Sequence, residues 1–187
     1  MMVANRFNAI SLWNMHPYTF MIQPKNFPEA SPWTDEEFAE WQHLYREIFR
    51  MAKERALDTY IVHWSIFVSQ AFAEAHDVAE ANFYPHYYVP GDTTEIVRRY
   101  LRESVTQVLE EYPNLDGIGI SHGEGMAGMT PLQRQQWMDD VIIAGKGGLY
   151  VFYNHGTPPT PANLHALAPE TAYPSWRDWG PYQSLYD

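Results

Sequence analysis

The run Asp116-Gly117-Ile118-Gly119-Ile120-Ser121-His122-Gly123-Glu124-Gly125-Met126 most limits what this chain can fold into. Its first half alternates glycine with isoleucine, the composition of a short strand buried on both faces. Its second half sets His122 and Glu124 among glycines, with Gly128 just beyond. Thr130-Pro131-Leu132-Gln133 then supplies a capping threonine, a proline at the first helical position and a glutamine that can close the box. A buried strand therefore ends in two titratable side chains, and a helix starts at once. In α/β folds that strand end is where ligands bind and chemistry is done.

The rest of the chain repeats the same alternation. Phe7 to Met15 reads as a first strand, followed by a proline-punctuated connection through Pro24, Pro28 and Pro32 that is expected to be irregular. Thr34-Asp35-Glu36-Glu37 is a capping box with acids in the first turn. Phe38, Trp41, Leu44, Tyr45, Ile48, Phe49 and Ala52 follow at helical spacing, so a helix should run to about Arg55 or Ala56. Asp58 to Val68 is apolar almost throughout and predicts a second strand, with a short helix over Ser69–His76. A second long helix should begin near Gly91–Glu95 and end at Pro113. A third should run from Pro131 to about Ala144, and Leu149–Tyr153 should be a fourth strand. Beyond Gly156 the periodicity stops, and 157–187 is expected to be an irregular tail rich in proline and aromatics, apart from a first unit of 1–156.

The order β-α-β-α-β-α-β predicts an α/β fold of parallel βαβ units. A closed eight-stranded barrel needs about 250 residues, and this chain has 187. The expected architecture is a partial, half TIM (β/α)8 barrel, with a small open sheet as the alternative.

Composition removes several function classes. A net charge of -11 argues against nucleic acid or an anionic membrane as partner, since both need clustered Lys and Arg. No apolar run is long enough to span a bilayer. There is no cysteine, which excludes thiolate chemistry and disulfides. The N-terminus lacks the basic and apolar regions of a signal peptide, so the chain itself leaves localisation undetermined. Aromatics make up 16% of residues; they either fill a core or line a groove that stacks on the flat faces of sugars.

If the strands are parallel, Asn14, His16, His63, Trp64, His122, Glu124 and His155 gather at one rim. Glu124 is the candidate acid/base or nucleophile, because a strand-end glutamate between two glycines can be approached closely by a ligand. A glutamate that merely caps the next helix would look the same. His122 can tune Glu124 or bind a hydroxyl, and Asn14, His16, His63, Trp64 and His155 are the candidate substrate-binding residues. No two histidines have metal-ligand spacing, so neither a metal nor another cofactor is expected. Hydrolysis of a glycosidic bond needs a second carboxylate about 5 or about 7–9 Å away. Asp116 lies at the wrong end of its strand, and Asp92, Glu95, Asp139 and Asp140 belong to helices.

Three segments resemble a family of large, mostly uncharacterised bacterial proteins of polysaccharide degradation that carry a glycoside-hydrolase-like (β/α)8 domain. They are Phe7–Pro17, Thr59–Val68 and Glu111–Ile120 continued through Glu124-Gly125-Met126. The resemblance covers roughly residues 7–145. Ser65 stands where the pattern has asparagine after the tryptophan, and the pattern after Gly145 differs. The resemblance implies a barrel, a carbohydrate ligand and Glu124 as a site residue, with a periplasmic or secreted location if the chain is part of a longer polysaccharide-degrading protein. Three readings follow. The chain is part of a glycoside hydrolase, or it is a non-catalytic or inactive sugar-binding module. In the third it is a half-barrel that forms homo-oligomers to cover its sheet edges.

Overall fold

A computed structural model of the chain describes residues 3–78, 87–122, 126, 128–145, 150–154 and 172–174. Five strands form one parallel sheet: β1 (Ala9–Trp13), β2 (Asp58–Ser65), β5 (Gly117–His122), β6 (Tyr150–Asn154) and β7 (Ala172–Pro174), in the order β1-β2-β5-β6-β7. Within this sheet each strand lies beside the one that follows it in chain order, and the order never reverses. That is the winding of a barrel wall, not of a doubly wound sheet with a switch point. Two short strands, β3 (Phe67–Ser69) and β4 (Tyr88–Pro90), form a separate antiparallel ribbon.

The helices are α1 (Tyr18–Met21), α2 (Asp35–Lys53), α3 (Gln70–His76), α4 (Glu95–Glu111) and α5 (Pro131–Met138), the last continued by a π-helical turn over Asp139–Ile143. Both arms of the α2 capping box form. The Glu37 N–H donates to Thr34 Oγ1 at 3.3 Å, and the Thr34 N–H donates to Glu37 Oε2 at 3.0 Å. The α5 box closes likewise through Thr130 and Gln133. At the start of α4 the cap is different: Asp92 Oδ1 accepts the Thr94 N–H at 2.9 Å, while Thr94 itself makes no side-chain cap.

Phe49 of α2, Val97, Tyr100, Leu101, Val105 and Val108 of α4, and Trp137, Met138, Val141 and Ile142 all pack in one core with Ile61 and Ile118 of the sheet. Ile61 and Ile118 are register partners. The helices therefore cover one face of the sheet, and alternation puts Tyr60, Val62 and Trp64 on the other. Gly117, Gly119 and Ser121 are their partners on β5 and share that second face.

Four expectations need correction. The stretch after His16 is not a loop at its start, because Tyr18–Met21 is a helical turn buried on all sides. The second strand stops at Ser65, with a cis peptide to Ile66, and Phe67–Ser69 pairs elsewhere. Leu44, placed on an apolar stripe, is 47% exposed. The residues after Gly156 are not wholly irregular, because Ala172–Pro174 adds a parallel strand beside β6. Three residues centred on Tyr173 are too few to show a period.

Candidate functional site

The carboxyl ends of β1, β2 and β5 lie side by side. At the end of β1 the ladder is offset. Asn14 N–H donates to Val62 O at 3.1 Å, but the next β2 donor, Trp64 N–H, bonds Met15 O at 3.1 Å where a regular parallel ladder would use Asn14 O. One extra residue just past β1 makes this a bulge-like offset, a device that re-aims a side chain at a strand end. Asn14 Oδ1 then accepts the His16 N–H at 2.9 Å, the turn that asparagine side chains favour. Asn14 and Trp64 are both partly exposed.

His16 and His63 are enclosed, at 0% and 1% exposure. His63 follows Ile61 by two residues, so it projects toward the helices. There its ring lies 5.4 Å from Tyr18, which in turn lies 5.3 Å from His16. His16 Nε2 is 2.9 Å from Tyr100 Oη on α4. Burial lowers the His16 pKa to about 3, with His63 adding repulsion, and burial alone lowers His63 to about 3. Both rings are therefore neutral at physiological pH. The same burial raises the Tyr18 hydroxyl, with Tyr100 adding to the effect. His16 Nδ1, Tyr18 Oη, His63 Nε2, Ser65 Oγ and Ser121 Oγ are buried with no hydrogen-bond partner among the described residues. A folded core rarely leaves so many polar atoms unmatched.

Among the predicted site residues the structure thus brings Asn14, His16, His63 and Trp64 to one end of the sheet. It carries β5 to His122 at the same level, paired with Ser65. The His122 side chain, Glu124 and His155 lie outside the described residues. Sequence reading missed Tyr18, Tyr100 and Ser121. Ser121 was within the glycine-rich run, but nothing in the sequence points from His16 to a tyrosine 84 positions away. Asp116, at the amino-terminal end of β5, accepts the Thr59 N–H at 2.6 Å and pairs with Lys53. Partial burial works to raise its carboxyl, but the bonds from Lys53 and Thr59 outweigh that and hold it below the usual range. Among the described residues no three acidic or histidine side chains are placed to hold a metal ion. No described helix is long and apolar enough to cross a membrane.

The sequence matches no protein-family model and no curated protein. Among solved structures it is similar to a GH138 enzyme targeting pectin rhamnogalacturonan II, with a TM-score of 0.79 and 23% identity over 92% of this chain. It is also similar to a noncanonical maltogenic α-amylase from Thermotoga neapolitana, with a TM-score of 0.48 and 14% identity over 81% of this chain. The fold is glycoside-hydrolase-like, a segment of a parallel α/β barrel. The chain spans 21% of the length of the GH138 enzyme and 38% of the amylase.

Proposed function

We propose that the chain is part of a carbohydrate-active protein whose sugar site lies at the carboxyl ends of β1, β2 and β5. The observation that carries this reading is the likeness of fold, over 92% of the chain, to an enzyme that targets a pectin polysaccharide. Glu124 is the acid/base or nucleophile, standing two residues beyond β5. As an acid it gives its proton to the leaving glycosidic oxygen; as a nucleophile its oxygen bonds the anomeric carbon. His122 adjusts its proton affinity. Asn14 and Trp64 meet the sugar. With Oδ1 committed to the turn, Asn14 has its amide N–H groups left to donate. His16 and His63, neutral and buried on the helix side of the strand ends, support the site from behind, and His155, the next residue after β6 in the sequence, is a further substrate-binding residue.

A second reading, sugar binding without hydrolysis, draws on three acidic residues on the carboxyl side of the sheet that are committed elsewhere. Glu29 pairs with His76 at 2.7 Å, Asp35 accepts from Gln23 at 3.2 Å, and Asp92 caps Thr94. None of them is a free partner for Glu124. Glu124→Gln decides between the two when hydrolysis of rhamnogalacturonan II and binding to it are both measured. Loss of hydrolysis with binding retained supports the catalytic reading. Binding by the wild type with no turnover leaves the binding module.

A further inference from the structure

Four aromatic rings from separate parts of the chain meet outside the strand-end site. Trp33 lies 4.4 Å from Tyr87, 5.7 Å from Trp41 and 5.6 Å from Phe20, centroid to centroid. Phe20 lies 5.0 Å from Trp41 and 6.0 Å from Tyr87. Phe20 is nearly buried at 8% exposure and forms the base, whereas Tyr87 is 49% exposed and Trp33 and Trp41 are half-buried. The rings are held in place. Trp33 Nε1–H donates to Thr19 O at 2.7 Å, and Tyr87 is pinned where its carbonyl accepts the Gln70 N–H at 2.9 Å. Trp33 sits in the connection that leaves β1, and Tyr87 in the one that leads from α3 into β4. The first follows the carboxyl end of β1, and the second belongs to the longer excursion between the carboxyl end of β2 and α4, the end of the sheet on which Asn14 and Trp64 stand.

Such a cluster can serve only as packing, but a core seeks to cover its rings, and these keep part of their surface in water. The chemistry beside them narrows what would cover it. Gln23 and Asp35 form an exposed hydrogen-bonded pair, and Glu36 and Glu37 are exposed beyond them. This acidic border disfavours an anion. The rings touch one another, which leaves no gap to cage a cation. A pyranose suits what remains: its C–H face lies on aromatic rings, and its edge hydroxyls can both donate to carboxylate and accept from amide. Rigid Trp and Tyr side chains also lose little entropy on binding.

We propose that Trp33, Trp41 and Tyr87, bordered by Gln23 and Asp35, form a stacking subsite for an uncharged pyranose, distinct from the site around Glu124. The subsite rests on the carbohydrate reading above and extends it to a longer ligand that bridges the two places. The test uses the full chain with short oligosaccharides of glucose, galactose and rhamnose, followed by calorimetry and by tryptophan emission. Wild type should bind one of them, with a shift in emission. Tyr87→Ala and Trp41→Ala should each weaken binding by about tenfold or more, and Asp35→Ala should weaken it less. Tyr87 is half exposed, so its variant should keep the wild-type melt, and Asp116→Asn, at the opposite end of the sheet, should bind as wild type does. Binding that is lost in Trp64→Ala yet unchanged in Tyr87→Ala and Trp41→Ala would overturn the subsite and leave the carbohydrate reading intact. Wild type that binds no sugar would overturn both. Two further results would also overturn the subsite: self-association abolished by Tyr87→Ala without sugar binding, or binding of tetramethylammonium instead.

Discussion

His16 Nε2 lies 2.9 Å from Tyr100 Oη, so the connection that leaves β1 is tied to α4, 84 positions later. Tyr100 also stacks on Phe72, with centroids 4.0 Å apart and planes 14° apart. Burial, the larger effect, pushes its hydroxyl up to about 12, against the opposing hydrogen bonds from Ser69. Tyr100→Phe keeps the stack and the volume but strips His16 Nε2 of its partner inside the core. We expect a loss of about 1–3 kcal/mol, read as a lower urea midpoint at unchanged m.

The two buried histidines make stability depend on pH. Their folded pKa values, about 3, lie well below the value of about 6.5 in the unfolded chain. Below pH 6.5 the unfolded state therefore takes up protons that the folded state refuses. The stabilisation is complete above pH 6.5 and is lost as pH falls toward 3, at about 1.4 kcal/mol per pH unit for each histidine. His63→Phe should halve the slope between pH 6 and about 4.5. It should cost less at pH 5 than at pH 7.5, because at the lower pH it also removes the unfolded-state proton uptake that weakens the wild type, and His63 Nε2 has no partner among the described residues to lose at either pH. Equilibrium unfolding at a series of pH values checks both parts. An unchanged slope would mean that His63 is not the titrating group.

The amino-terminal end of the sheet should respond differently. Asp116 holds the Thr59 N–H and Lys53, at side-chain exposures of 29% and 32% for the pair. Partial exposure screens the ion pair, so Lys53→Ala should cost less than about 1 kcal/mol. Asp116→Ala also removes the acceptor of Thr59 N–H and should cost about 1–2 kcal/mol. Neither change should alter sugar binding. Thermal melts beside binding isotherms test this separation of the two sheet ends.

Much of this architecture is legible in the sequence where physics is local. The Thr34–Glu37 and Thr130–Gln133 boxes fix helix starts because a hydroxyl and a carboxylate or amide three residues apart can satisfy each other's backbone. The glycine-isoleucine alternation of β5 reads as a strand because its period is two. What could not be read depends on distant partners. Tyr18–Met21 is helical for one turn only and buried all round, so it has no polar face and no period. The stop at Ser65 falls inside a run, Tyr60–Val68, that is apolar apart from His63 and Ser65 and has no turn residue to mark a break. The turn at Asn14 shows the same limit: asparagine after a strand suggests a turn, but the bulge that aims it is defined by Met15 bonding Trp64 on another strand.

Asn14 separates a structural role from a binding one. Asn14→Asp keeps an oxygen to accept the His16 N–H, so the turn and the melt should survive. It replaces the amide donor by an acceptor and a charge. Asn14→Ala loses both the turn bond and the donor and should cost about 1 kcal/mol. Sugar binding should fall in both variants. Full binding by the aspartate variant would restrict Asn14 to the turn.

Two glycines flanking α5 and its π-helical continuation should fail for different reasons. A Cβ on Gly145 would lie 2.8 Å from the Arg102 carbonyl oxygen and 3.0 Å from Val105 Cγ1. The chain there is drawn onto α4, where Thr106 Oγ1–H donates to Gly145 O at 3.1 Å. Gly145→Ala must push two helical segments apart and should cost about 1–3 kcal/mol. Gly128 has open space around it but a φ of +83°. Gly128→Ala therefore meets no neighbour and should cost about 1–2 kcal/mol through its backbone alone. The difference shows on adding Val105→Ala, which makes room beside Gly145. That change should recover part of the loss in Gly145→Ala and none in Gly128→Ala, as a double-mutant cycle of unfolding free energies would measure.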